Sequence, residues 1–380
     1  MTKKAKVLTL NIVANFCRLL LAATFIFSGF VKANDPMGTV YKMEDYISAM
    51  LWFTLPETVL LGCAVLLALF EFMMGTYLLF GIKKKISAVL ALAFMAVMTP
   101  LTIYIAIANP VDDCGCFGDA LILSNGATLT KNVILMAAAI LVCRYNKRLK
   151  EFVPSSIKWL IAFVSFCGII GYAIYCIICL PRLDFRPYKV GTNLREAVTA
   201  TQQKFDVTII YEKNGKTLEL TAEDDDPDST WTYVETRRTP TGSASLATAD
   251  FYVADAEDED ITEDILFDEG FTLLLIIPNL TKADEGCVDK VNEIYEYAQD
   301  MNYFSFYCLT SSADKQSQTY WSEHTGAEYG YSIADDRLLK TIVRGNPGLV
   351  LLKNGIIVKK WSNYNLPDAD ELGKLVGYNS

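Results

Sequence analysis

Long apolar runs separated by short polar connections make up the first 180 residues of this chain of 380. A helix needs about 20 consecutive apolar residues to cross a bilayer. Five runs reach that length, at residues 7–31, 57–80, 86–108, 127–145 and 157–180. The pattern predicts a multi-pass α-helical membrane bundle, with a four-helix domain over residues 1–150 and a fifth transmembrane helix over 151–182.

The pattern changes after residue 182 to short runs bounded by turn residues. Residues 183–262 are predicted to be a β-rich connecting region, in which Asn214-Gly215 is a strong hairpin signal and Glu223–Asp228 is a solvated acidic loop. From residue 263, strand and helix patterns alternate, which predicts an α/β domain over 263–380. Its predicted elements are strand Phe271–Ile277, helix Val288–Gln299, strand Tyr303–Leu309, a helix near 313–324, strands Leu349–Lys353 and Ile356–Trp361, and a helix at 368–376.

Basic residues fall on one side of the predicted bundle. They precede the first run, join the second run to the third, and join the fourth to the fifth. The three clusters are Lys3, Lys4 and Lys6; Lys83, Lys84 and Lys85; and Arg144, Lys147, Arg148, Lys150 and Lys158. Because cytoplasmic connections carry the excess of Lys and Arg, we expect a bacterial inner-membrane protein with a cytoplasmic N-terminus and a periplasmic C-terminal domain.

Charge also separates the two halves of the chain. Residues 1–180 carry a net charge of +6 and residues 181–380 a net charge of −16. An acidic surface argues against binding nucleic acid, whose phosphates need a basic one, and it keeps an exported domain soluble. The expected partners are therefore membrane lipid and a periplasmic protein.

Two cysteines stand in the polar loop between the third and fourth runs, in the stretch Asp112-Asp113-Cys114-Gly115-Cys116. A disulfide across one residue closes a small ring, and departures from relaxed geometry make a bridge easier to reduce. Such a bridge suits an oxidant that passes its disulfide onward, so Cys114 and Cys116 are the candidate redox pair. The neighbouring carboxylates oppose this because negative charge disfavours a thiolate. The alternatives are a bridge that only staples the loop, or two unpaired thiols.

The other cysteines and the single histidine narrow the chemistry. Cys176 and Cys179 lie on one face of the fifth predicted span, where they could meet the loop and relay electrons, or simply pack as apolar side chains. His324 is the only histidine, and no further Cys or His accompanies the loop cysteines as metal ligands. No metal site is expected.

Arg18 and Glu71 are charged residues deep inside predicted spans. Arg18 comes about 16 Å after the start of the first span, and Glu71 about 14 Å before the end of the second. Charges in hydrocarbon normally pair within the bundle, so an Arg18–Glu71 ion pair is predicted. It would either fix the helix register or form a polar pocket for a quinone head group or a proton path.

Several motifs resemble those of the DoxX and MauE-like membrane proteins. They are Arg18 with the stretch Ala22–Lys32, Glu71-Phe72-Met73-Met74-Gly75, and Cys114-Gly115-Cys116-Phe117-Gly118. The resemblance covers residues 7–145, and with the fifth span and acidic tail it is to the Bacteroidetes type. It implies a four-helix bundle that serves electron transfer or disulfide formation in exported partners. The MauE branch is associated with maturation of methylamine dehydrogenase.

The element order over residues 263–378 resembles the thioredoxin fold. Pro347 stands where that fold places a cis-proline, so a cis Asn346–Pro347 bond is predicted. The Cys-x-x-Cys motif of thioredoxins is replaced by Asp284-Glu285-Gly286-Cys287. Cys287 could still form a mixed disulfide, helped by a helix N-terminus. Cys308 is expected to be buried.

Three functions are compatible with these patterns. The first is an inner-membrane redox accessory protein, in which Cys114 and Cys116 pass electrons from a periplasmic thiol partner towards quinone. The second is a non-enzymatic adaptor or assembly factor whose thioredoxin-like tail binds periplasmic partners. The third is a small-molecule carrier with Arg18 and Glu71 as its polar centre.

Overall fold

The computed structural model describes residues 3–50, 55–109, 114–181, 183–202, 205–213, 216–221, 232–240, 251–301 and 303–377. The predicted Asn214-Gly215 turn and Glu223–Asp228 loop lie outside these residues. The chain divides into two units, residues 1–185 and 186–380.

The first unit is helical. Its helices are α1 (Lys3–Asn34), α2 (Pro36–Met50), α3 (Glu57–Phe80), α4 (Lys84–Ala108), α5 (Asn125–Arg144) and α6 (Lys158–Cys179). Within the described part of the chain, five helices are long and apolar enough to cross a membrane, namely α1, α3, α4, α5 and α6. These are the five spans predicted from the sequence, and the protein is a multi-pass membrane protein.

Two glycines set the register between α1 and α3. A Cβ added to Gly29 would lie 2.5 Å from the backbone nitrogen of Phe72, and one added to Gly75 would lie 2.6 Å from that of Ile26. Because only hydrogen fits at these contacts, the two backbones approach closely, as small residues permit in membrane helices. The antiparallel register therefore places the C-terminal end of α1 opposite the middle of α3.

A small antiparallel sheet opens the second unit after helix α7 (Leu194–Gln202). Its strands are β1 (Phe205–Lys213), β2 (Lys216–Thr221) and β3 (Thr232–Pro240), in the order β2-β1-β3. Pairing of Lys213 with Lys216 confirms the predicted hairpin strands.

The remaining elements form a six-stranded mixed sheet flanked by helices. In chain order they are β4 (Val253–Ala254), α8 (Thr262–Leu266), β5 (Phe271–Ile277), α9 (Val288–Asp300), β6 (Phe304–Thr310), α10 (Lys315–Thr325), β7 (Tyr331–Ala334), α11 (Asp336–Ile342), β8 (Gly348–Lys353), β9 (Ile356–Ser362) and α12 (Ala369–Leu375). The strand order is β4-β7-β6-β5-β8-β9. Strands β5, β6 and β7 are parallel, and β8 and β9 are antiparallel to their neighbours. This is the predicted thioredoxin-like arrangement.

The core of this sheet explains the apolar runs that predicted it. Strand β5 is central and is buried from Thr272 to Ile277, as expected for a strand covered on both faces. Cys308 in β6 is fully buried, which confirms the prediction for that thiol. The Asn346–Pro347 bond is cis, also as predicted.

Candidate functional site at the cysteine loop

The Cys114–Cys116 loop connects α4 to α5, and three side chains from α1 and α2 hold its backbone. The Tyr46 hydroxyl donates to the Cys114 carbonyl at 2.7 Å. The Ser28 hydroxyl and the Lys32 ammonium both donate to the Cys116 carbonyl, at 2.8 Å and 2.9 Å. The loop is thus fixed at both cysteines, while Gly115 between them takes a left-handed φ of +63°.

The two sulfur atoms face each other. Cys114 Sγ and Cys116 Sγ lie 2.7 Å apart, compared with about 2.05 Å in a disulfide. Cys114 is buried and Cys116 is partly exposed, and both are free thiols in this structure. Loss of two electrons and two protons to an oxidant, with a small closing movement, would convert the pair to a bridge, and Cys116 is the more exposed of the two residues.

Lys32 links the loop to the interior of the bundle. Its ammonium donates to the Ser28 hydroxyl at 2.7 Å and to Glu71 Oε2 at 2.9 Å, in addition to the Cys116 carbonyl. Lys32 and Glu71 are only 7% and 3% exposed. The three donors of the ammonium are all used, so the buried ion pair is also fully hydrogen-bonded on the lysine side.

The predicted Arg18–Glu71 ion pair is wrong. Arg18 is fully buried, donates through Nη1 to the Lys150 carbonyl, and lies 4.6 Å from the centre of the Phe152 ring. Glu71 pairs instead with Lys32, which lies about 21 Å further along α1 than Arg18.

The reason for this error is the helix register. The predicted depths of Arg18 and Glu71 assumed that the first span begins, and the second span ends, at the same membrane plane. The Gly29 and Gly75 contacts instead bring Arg18 level with Gly81, whose Cβ position is 3.3 Å from Arg18 Nη1. Arg18 and Glu71 therefore do not form one pocket. A quinone site built on that pair does not fit the structure, and Lys32 has no donor left to hold a quinone carbonyl.

Electrostatics distinguish the two thiols. A hydrogen bond from the Cys114 thiol and the positive charges of Lys131 and Lys32 hold the pKa of Cys116 below its ordinary value, against the effect of burial. The same hydrogen bond, together with burial, raises the pKa of Cys114. From the sequence, only the negative charges of Asp112 and Asp113 were expected to act on the thiols, and these residues lie outside the described ones. The effect of the two lysines, which favour a thiolate at Cys116, was not predicted.

Phe117 fastens the end of the loop between two helices. Its ring lies 5.3 Å from the Phe27 ring on α1, and the ammonium of Lys131 on α5 lies 4.2 Å from its centre. Phe117 is 7% exposed, so these contacts bury it where the loop meets the bundle. The cation is thereby held beside the residue that follows Cys116.

The second cysteine pair lies on the other side of α1. Residues two apart on a helix point about 200° apart, so Phe30 and Asn34 face away from Ser28 and Lys32. Tyr172 of α6 stacks on Phe30 at 5.4 Å and donates to Asn34 Oδ1 at 2.7 Å. Cys176 is buried one turn after Tyr172, and Cys179 follows it. The contacts of α6 with α1 are thus made on the face that is turned away from Ser28 and Lys32, and this arrangement disfavours the expected relay between the two pairs.

In the thioredoxin-like domain, Asp284 occupies the position of the first cysteine of the missing motif. Its backbone N–H donates to the Asn346 carbonyl at 2.8 Å, and its carboxylate accepts from Asn363 Nδ2 at 2.7 Å. Cys287 is 8% exposed, and burial raises the pKa of its thiol to about 11. Pro347 follows Asn346 at this site. The helix start therefore does not activate Cys287, and the arrangement disfavours thiol chemistry there.

Sequence reasoning found the cysteine pair but missed the groups that hold it. The first predicted span ends at residue 31, just before Lys32, whereas α1 continues to Asn34. Tyr46 and Lys131 gave no motif signal, and Ser28 stood out only as part of the stretch Ala22–Lys32. The small residues Gly29 and Gly75 did carry a signal, because their close contacts determine that Glu71 meets Lys32.

Two parts of the chain match known families. Residues 10–145, which include the cysteine loop and its anchoring helices, match the family described as "Methylamine utilisation protein MauE". Residues 205–240, which hold the small sheet, match a family described as "Domain of unknown function (DUF8463)". Among curated proteins, none matches the chain. The first match supports the MauE side of the resemblance seen in the sequence motifs.

Solved structures resemble the C-terminal part of the chain. One is the C-terminal domain of a protein described as a thiol-disulfide oxidoreductase from Bacteroides thetaiotaomicron, with 18% identity, a TM-score of 0.28, and coverage of 33% of this chain and 88% of that one. Another is the exposed lipoprotein thioredoxin Etrx1 from Streptococcus pneumoniae strain TIGR4, with 15% identity, a TM-score of 0.26, and coverage of 34% and 98%. At these TM-scores the likenesses carry no conclusion, and the thioredoxin-like assignment rests on the strand order.

Proposed function

We propose that this protein, whose membrane domain is MauE-like, performs thiol–disulfide exchange at Cys114 and Cys116. The observation that carries the proposal is the pair of sulfurs 2.7 Å apart in a loop whose two cysteine carbonyls are both anchored. Anchored backbone and facing sulfurs allow the bridge to open and close with little rearrangement.

The exchange moves two electrons and two protons. A thiolate of a partner dithiol attacks Cys116 Sγ, the Cys114–Cys116 bond breaks, and Cys114 leaves and takes up a proton. The second thiolate of the partner then attacks the partner sulfur that is bonded to Cys116 in the mixed disulfide. The partner's disulfide forms and Cys116 leaves as a thiolate. The partner is now oxidised, and an oxidant of the quinone class in the membrane takes the two electrons from Cys114 and Cys116. No residue is assigned to bind that oxidant.

The proposed location follows the basic connections. With Lys83–Lys85 and the α5–α6 connection in the cytoplasm, both the cysteine loop and residues 186–380 lie in the periplasm of a bacterial inner membrane. Disulfides persist in that compartment. The thioredoxin-like domain, on the same side as the loop, would dock the periplasmic partner.

The replacement of the first motif cysteine by Asp284, with Cys287 buried, favours a second candidate. The protein would then be an adaptor or assembly factor whose thioredoxin-like domain binds partners without redox chemistry. A carrier centred on Arg18 and Glu71 is not proposed, because those two side chains do not share a site.

Electron transfer from a dithiol to quinone separates the two candidates. Membranes that contain the protein, supplied with a reduced dithiol and a soluble quinone, are expected to reduce the quinone faster than membranes without it. The Cys114→Ser/Cys116→Ser double variant should lose the whole of that increment, because no disulfide can form in the loop. An increment that persists in the double variant would contradict the redox proposal and favour the adaptor.

A further inference from the structure

Lys131 is a lysine inside a membrane helix. It lies six residues after the start of α5, or about 9 Å along the helix, and α5 is one of the five candidate spans. Ionisable side chains in spans are costly and generally mark a paired or functional site. The partner of this ammonium therefore requires an explanation.

No carboxylate among the described residues lies within ion-pair distance of Lys131. Its ammonium instead reaches the Phe117 ring at 4.2 Å, next to Cys116 in the chain. The cation thus turns from the span towards the cysteine loop, as long basic side chains do near helix ends.

The other nearby cation is used differently. Lys32 is neutralised by Glu71 at 2.9 Å, and its remaining donors hold the Ser28 hydroxyl and the Cys116 carbonyl. Lys32 therefore fixes the loop backbone, and its charge is largely compensated. Within the described part of the site, Lys131 is the cation whose charge is not balanced by a carboxylate.

We propose that Lys131 is the counter-ion of the Cys116 thiolate and is a positioning residue for the exchange reaction. The proposal rests on the proposed function and assigns the two sulfurs different roles. Cys116 is the sulfur that carries the mixed disulfide and leaves as a thiolate in the second step, and Cys114 is the sulfur that leaves first. Of the cations near the pair, Lys131 acts most strongly on both thiols, lowering the pKa of each.

The test is the pH dependence of Cys116 alkylation in membranes. It uses the Cys114→Ser background, in which the serine hydroxyl can still donate to Cys116, and follows iodoacetamide labelling by mass spectrometry of the Cys116 peptide. Lys131→Met is expected to move the labelling midpoint upward by about one pH unit and to slow labelling about tenfold at pH values below both midpoints. Lys131→Arg keeps the charge and should restore the midpoint.

Lys42→Met is the matched control. The Lys42 side chain packs against Gly115, and its Cγ lies 3.1 Å from the position that a Cβ on Gly115 would take. Replacing Lys42 therefore also removes a lysine from the surroundings of the loop. Its labelling midpoint should stay that of the background. An unchanged midpoint in Lys131→Met, or an equal shift in Lys131→Arg, would overturn the proposal. Because labelling needs neither partner nor quinone, this outcome is independent of whether the pair cycles in membranes.

Discussion

Replacing Lys32 by methionine is expected to lower the free energy of unfolding of the protein by about 3–5 kcal/mol. The substitution leaves the Glu71 carboxylate 3% exposed, inside the bundle, without the ammonium that lies 2.9 Å from it. It also removes the donor that ties α1 to the Cys116 carbonyl. Denaturant titration of the purified protein in detergent measures the loss.

Two further variants test the cause of this effect. Lys32→Met combined with Glu71→Leu replaces the pair by apolar side chains, and it should recover most of the lost stability, since uncompensated charge is the main cost. Lys84→Met removes the lysine of a partly exposed pair with Glu151 and should change stability much less. If the double variant is as unstable as Lys32→Met alone, or if Lys84→Met costs as much, the buried-pair account fails.

The second large effect is an asymmetry between the two loop cysteines. Cys114→Ser should accumulate a mixed disulfide between Cys116 and a protein partner: the Cys116 thiolate attacks the disulfide of an oxidised partner and expels the partner's other sulfur as a thiolate, and no Cys114 thiol remains to displace the partner from Cys116. Cys116→Ser should accumulate at least about tenfold less, since the remaining Cys114 is only 6% exposed and burial raises the pKa of its thiol. Non-reducing gels of membranes, probed for the protein, compare the two variants.

Cys287→Ser is the control for this comparison. The thioredoxin-like domain holds Cys287 buried beside Asp284, so adding this change to Cys114→Ser should leave the amount of mixed disulfide unchanged. Loss of the adduct on adding Cys287→Ser would place the exchange in the C-terminal domain instead. Equal adducts from Cys114→Ser and Cys116→Ser would contradict the distinct roles given to the two sulfurs.

The sequence predicted the elements well where a single physical pattern determines them. Apolar length alone fixes a membrane span, so α1, α3, α4, α5 and α6 could be located from composition. Strand β5 was located with its exact bounds because a strand buried on both faces is a continuous apolar run. Short elements such as β4 and β7 were missed, since two to four residues give no periodicity to detect.

The candidate site was predictable only in part. Cys114 and Cys116 were found because they are adjacent in the chain and their chemistry is specific. Their environment depends on which residues of distant helices meet, and a count along each helix cannot supply that information. Arg18 and Glu71 were paired by such a count. Close packing at Gly29 and Gly75 instead sets the register between α1 and α3, so that Glu71 forms its ion pair with Lys32.

The measurement that tests the central claim most directly is the redox state of the Cys114–Cys116 pair in membranes, followed by a thiol-trapping gel. Wild-type membranes are reduced with a dithiol, freed of it, and divided between samples with and without added quinone, with the Cys114→Ser/Cys116→Ser variant to identify the band shift. The account predicts a bridge that opens with dithiol and closes again only where quinone is present. A bridge that stays closed throughout, or thiols that never pair, would contradict it.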